Sequence, residues 1–168
     1  MSSQGSLFDE GPPGRTLDDA RAEVLAHRED GIECPCCDQW IKVYRRSITA
    51  DSAAWLVLLV NAYRREPRYY HVGGLRGITQ ATGDRAKLRY WGLIEQRPKC
   101  DKADAGKRTS GYWKPTQQGM DYVDGNVGLP RHAYVVDGTV LGYSDERRDL
   151  QDCLGNRFDF GKLMRGEL

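Results

Sequence analysis

Residues 88–119 read LRYWGLIEQRPKCDKADAGKRTSGYWKPTQQG, and the order of residue types along them decides the fold. The apolar end of a helix, with Leu88 and Trp91, runs into Gly92, whose freedom at positive φ suits a helix stop. LIEQRP (93–98) then reads as a strand, the run 99–110 is polar, and GYWKP (111–115) reads as a second strand able to pair back on the first. Thr116 opens TQQGMDYV as the next helix, its hydroxyl placed to cap it. The stretch predicts a short helix beside a strand-loop-strand flap with a basic loop.

Upstream, DRAKLRYW (84–91) extends that helix backwards. At helical spacing Asp84, Arg85, Lys87 and Arg89 fall on its outer faces while Ala86, Leu88 and Trp91 turn inward. Gly73, Gly74 and Gly77 loosen the chain before it, and RYYHV (68–72) reads as a short strand. Thr49 caps a helix over about 50–65 that is apolar nearly all round, as expected of the core element. Further back, Thr16 caps LDDARAEVLAHRED, with acids in the first turn, Leu17, Ala20, Val24 and Leu25 at helical spacing, and Gly31 as the stop. IECPCCDQWIKVYRR follows as a small hairpin-like segment.

Downstream, HAYVVDGTVLGY is a hairpin signal with Asp137-Gly138 in a type I′ turn. RRDLQDCL reads as a short helix closed by Gly155, and Asp159 caps a last turn through Leu163 and Met164. Residues 1–15 have the composition of a disordered arm. The expectation is an α+β fold over 16–168, with its core at about 49–124. A C-terminal hairpin and short helices at 130–168 cover the apolar side of that core, with a homodimer contact as the alternative use of them.

LRYWGLIEQRP…GKRTSGYWKPTQQG resembles the corresponding stretch of winged-helix regulators of the MarR type. Leu88, Gly92, Leu93, Ile94 and Glu95 match the helix end and first strand, Lys107 and Arg108 the wing, and Thr116 and Gly119 the entry to the next helix. The sequence departs from that pattern at Pro115, where a leucine is usual, and in the short glycine-rich run before Asp84. With CPCC (34–37) and LGNRFDF (154–160), residues 34–165 are also similar to a family of small proteins of bacteriophage genomes. The resemblance implies a winged helix-turn-helix core, and hence duplex DNA as partner, in a regulatory or replication-associated role.

Charge agrees with a polyanion partner in the middle of the chain. Residues 61–115 hold 13 bases against 5 acids, whereas residues 1–33 hold 3 against 8 and residues 116–168 hold 6 against 9. The expected DNA contacts are Arg85, Lys87 and Arg89 in the groove, with Lys99, Lys102, Lys107 and Arg108 of the wing on the flanking backbone. The bland reading is a solvated charged surface.

Cys34-Pro35-Cys36-Cys37 contains a C-x-x-C turn of the kind that aims two thiolates, Cys34 and Cys37, at one zinc ion. A third or fourth ligand would have to come from Cys100, Cys153, His27, His71 or His132, and no second C-x-x-C exists to supply it. The alternative is a set of reduced thiols. No nucleophile elbow, phosphate loop or paired carboxylates are visible, which points away from an enzyme. Gln4, Leu7 and Phe8 in QGSLF resemble the Gln-x-x-Leu-Phe peptide that docks bacterial replication proteins on the sliding clamp. The competing function is therefore capture of a host protein, either that clamp through the arm or a defence or transcription protein through the winged helix. The apolar run 53–60 is too short to span a bilayer, and no secretory leader is visible, so the cytoplasm of a bacterial host cell is expected.

Overall fold

The computed structural model describes residues 14, 16–75, 82–98 and 110–167, which form a mixed α/β protein. Two units divide it, Met1–Tyr44 and Arg45–Leu168. No helix among the described residues is long and apolar enough to cross a membrane.

In the first unit, helix α1 (Leu17–His27) starts at a reciprocal cap. The Thr16 hydroxyl accepts from the Asp19 N–H at 3.2 Å, and the Asp19 carboxylate accepts from the Thr16 N–H at 3.0 Å. A two-stranded hairpin follows, β1 (Ile32–Glu33) against β2 (Trp40–Ile41), in the register Ile32↔Ile41 and Glu33↔Trp40. Gly31 admits it: its φ is +101°, and a β-carbon there would lie 2.3 Å from the Trp40 ring. The hairpin stops at Ile41, and β3 (Tyr44–Ser47) joins a different sheet.

The second unit is built round α2 (Ala50–Arg65), capped by Thr49 as the sequence predicts. Ala53, Ala54, Trp55, Leu56, Val57, Leu59 and Val60 are all buried, so the helix is enclosed on most sides. After β4 (Tyr70–His71), a single helical turn, α3 (Thr82–Arg85), tightens into a 3-10 helix, Ala86–Trp91, which Gly92 ends at φ +66°. Strands β5 (Ile94–Gln96) and β6 (Tyr112–Pro115) pair antiparallel, as expected of the flap, and β4 adds to the far side of β6. The strand order is β4-β6-β5.

Thr116 accepts from the Gly119 N–H at 3.1 Å and starts α4 (Gln117–Val123), which packs on α2 and β6. Beyond β7 (Leu129–Pro130), strands β8 (His132–Val136) and β9 (Thr139–Tyr143) form the expected hairpin. Asp137 and Gly138 sit at φ +41° and +79°, the signs a type I′ turn demands. The hairpin extends β3 into the sheet β3-β8-β9.

One expectation here is overturned: RRDLQDCL is not all helix. Arg147–Arg148 forms a strand, β10, paired with β7, and α5 is confined to Leu150–Leu154 behind the Asp149 cap. Helix α6 (Phe160–Arg165) starts at Asp159. Both α5 and α6 pack on α2, and the Asn61 side chain donates to the Leu163 and Met164 carbonyls at 3.1 and 3.2 Å, tying the end of α6 to the core helix. The C-terminal elements thus pack within the chain.

Candidate nucleic-acid interface

The segment expected to enter a groove is a helix of the wrong pitch for that reading. At 3.6 residues per turn positions 85, 88 and 91 spread over about 120° of the helix surface, but at the 3.0 residues per turn of a 3-10 helix they eclipse. Leu88 and Trp91 are buried, and Arg85 is carried inward with them, to 3% exposure. Its guanidinium donates to the Val72 carbonyl at 2.7 Å and lies 5.9 Å from the Trp55 ring. Burial lowers its pKa, and the charge of Asp51 works against that shift. Arg85 is therefore a structural side chain of the core, and its assignment as a groove contact is corrected.

Lys87 and Arg89 are half-buried on different sides of the same turn. Lys87 is ion-paired with Asp84, and the Arg89 guanidinium lies 5.2 Å from the Tyr90 ring. The C-terminal elements hold the end of this helix: Trp91 Nε1 donates to the Pro130 carbonyl at 2.8 Å, and Tyr143 Oη to the Tyr90 carbonyl at 2.5 Å. Lys99, Lys102, Lys107 and Arg108 lie outside the described residues, as do Gln4, Leu7 and Phe8.

The sheet β4-β6-β5 gathers what the helix does not. Alternation along β6 buries Trp113 and Pro115 and turns Tyr112 and Lys114 to the other face. Register places His71 opposite Tyr112, and Glu95 opposite Lys114, on that outward face. The His71 and Tyr112 rings meet edge to face at 5.1 Å. Arg97 lies 4.3 Å from the Tyr112 ring, and Lys114 lies 5.2 Å from the ring of Tyr69, whose hydroxyl donates to Glu95 at 3.2 Å. Burial works against the charge of Lys114, but its hydrogen bond to Glu95, with Tyr69 beside it, outweighs this and raises its pKa. One face of the flap thus carries three aromatic rings and two cations. Sequence reading missed it, although the alternation of YWKP held half of it; the other half needs the pairing of β4 with β6, which is not local.

No family model, curated protein or solved structure matches the chain.

Residues 34–38 form a tight backbone turn. The Cys34 N–H donates to the Gln39 carbonyl at 2.8 Å, and the Cys37 and Asp38 N–H groups donate to the Cys34 carbonyl at 3.3 and 2.9 Å. Asp38 takes the left-handed conformation, φ +57°. The Cys34 sulfur accepts from the Cys36 N–H, the Cys37 thiol, the Cys37 N–H and the Cys36 thiol, which together lower its pKa against a small opposing effect of burial. The residues weighed as further ligands have other surroundings. Cys153 is half-buried with its sulfur 3.3 Å from Tyr122 Oη, and burial raises its pKa. His71 Nδ1 accepts from the Gly73 N–H at 3.2 Å, and His27 Nδ1 lies 3.0 Å from the Glu23 carbonyl. His132 is part of β8, and Cys100 lies outside the described residues. No group of three or more metal-ligating side chains forms among the described residues.

Proposed function

We propose that the protein binds duplex DNA through the wing of a winged-helix-type unit, with the flap meeting the phosphate backbone and the short helix playing a minor part. Two antiparallel strands beside a helix are the arrangement that gives the winged helix its name, and β5, β6 and the 82–91 segment supply it. The observation that carries the reading is the outward face of β4-β6-β5, where Arg97 and Lys114 stand among Tyr69, His71 and Tyr112. That face belongs to the strands joined by residues 97–111, a run with five bases against two acids. Cations held in place by rings reach phosphates at small entropic cost, and phosphate contacts supply most sequence-independent affinity.

Fluorescence anisotropy with a labelled duplex at two salt concentrations tests it. Lys107→Ala with Arg108→Ala and Lys114→Ala should weaken binding at least tenfold and flatten the salt slope by about 2–3, at roughly 0.9 per lost phosphate contact. Lys87→Ala with Arg89→Ala should cost less than the wing variant. Binding that is indifferent to salt and to the wing variant would remove the proposal; a larger loss in the helix variant would return the contact to the groove.

A further inference from the structure

The outward face of β4-β6-β5 is laid out in two rows across its strands. In the first, His71 of β4 stands opposite Tyr112 of β6, and the Arg97 N–H donates to the Tyr112 carbonyl at 2.9 Å, which carries the Arg97 guanidinium to 4.3 Å from the same ring. In the second, Lys114 of β6 stands opposite Glu95 of β5, with the Tyr69 ring 5.2 Å from its ammonium. Tyr112 and Lys114 are two residues apart along β6, so the rows lie about 7 Å from each other. Each row holds a ring next to a cation.

Charge alone leaves part of this face unexplained. Glu95 lies 3.4 Å from Lys114 and offsets it, so the second row has little net charge to offer a phosphate. The rings are not offset in this way. His71 is exposed and Tyr69 and Tyr112 are half-buried, so aromatic surface meets solvent in both rows. A nucleotide uses a ring and a cation together, stacking its base on the one and setting its phosphate by the other. A duplex offers such a face only phosphates and base edges, and its bases rise about 3.4 Å apart, half the row spacing. An unstacked single strand frees the faces of its bases and stretches to the wider spacing.

We infer that this face binds an unpaired DNA strand running on from the duplex, with one base stacked on the row of His71 and Tyr112 and the next on Tyr69. The inference rests on the DNA-binding reading above and adds to it a preference for the junction between duplex and single strand.

The test is fluorescence anisotropy on the full chain with three labelled probes: a blunt duplex, the same duplex carrying a short thymine tail on either end of one strand, and the tailed duplex with abasic sites in place of the thymines. The thymine tail on one of the two ends should tighten binding about tenfold or more over the blunt duplex, and the abasic tail, which keeps the phosphates and loses the bases, should return most of that gain. Tyr112→Leu and Tyr69→Leu should each cost about tenfold on the tailed probe and less on the blunt one, with melting curves showing that the variants remain folded. A 2-aminopurine placed in the tail beside the junction gives a measure on the unaltered protein, since stacking on a ring should quench its fluorescence. Equal affinity for tailed and blunt duplexes, an abasic tail bound as tightly as the thymine tail, or an unquenched 2-aminopurine would each overturn the inference and leave duplex binding standing. Failure to bind any of the probes would remove the DNA-binding reading itself and this inference with it.

Discussion

Gly119→Ala is expected to destabilise the protein by about 2 kcal/mol, seen as a fall in melting temperature of about 4–8 °C for a chain of this size. A β-carbon at Gly119 would stand 2.1 Å from the Leu93 carbonyl oxygen and 3.1 Å from its carbon. The obstacle is backbone, so no rotamer change relieves it. The oxygen cannot retreat freely either, because it accepts from the Thr116 N–H at 3.0 Å and so joins the start of α4 to the residue that follows Gly92. Overpacking of this kind costs about 1–3 kcal/mol and occasionally more, and the better helix propensity of alanine returns only about 1. Gly142→Ala is the control: nothing lies within 4 Å of the added carbon, and the change should stay within about 0.5 kcal/mol. Equal melting temperatures for the two variants in calorimetry would show that α4 can slide away from β5 without loss.

The Gly119 clash also shows which parts of the fold the sequence makes legible. The Thr-x-x-Gly pattern announces a helix start because the cap is local: the Thr116 oxygen reaches the N–H three residues on. Thr16, Thr49, Gly92, Asp137-Gly138 and Asp159 are readable for the same reason, since each acts on backbone within four residues. Arg147 and Arg148 were not readable. Their pairing with Pro130 and Leu129 depends on where α4 and the β8-β9 hairpin deliver the chain, and the local pattern around them favours helix. Likewise the run after Ile41 looks like one strand, yet its end pairs with β8, some 90 residues away.

The charge count was legible only in part. The excess of bases between 61 and 115 is real, but several of them are matched by acids that folding brings close. Arg64 meets Asp124 at 2.6 Å, Arg68 meets Glu66 at 3.0 Å, Lys114 meets Glu95 at 3.4 Å, and Lys87 meets Asp84. Each pair contributes little stability at the surface, about 0–1 kcal/mol, but each reduces the local field that a polyanion would feel. What survives is a positional signal: Arg97 and Lys114 stand beside rings on one face of the flap, and the residues joining its strands hold five bases against two acids.

Arg85→Ala separates the two roles that the sequence and the fold assign to this side chain. As a groove contact, Arg85 would leave stability untouched when truncated and would weaken DNA binding by about 1–3 kcal/mol. As a core residue it fills volume against Trp55 and supplies the donor for the Val72 carbonyl, so its loss leaves a cavity and an unpaired acceptor. The expected cost is about 2–4 kcal/mol of folding free energy, with a fall in melting temperature of about 4–16 °C. Arg85→Met fills much of the volume without the donor or the charge and removes the expense of burying a guanidinium, so it should cost less than alanine. Thermal melts of both variants, run beside the anisotropy titration at a temperature where each remains folded, distinguish the cases. A stable Arg85→Ala protein that has lost DNA affinity would restore the groove contact and would mean that the 3-10 turn rotates outward on binding. An unstable protein whose folded fraction still binds with the original salt slope places the whole of the arginine's contribution in the core.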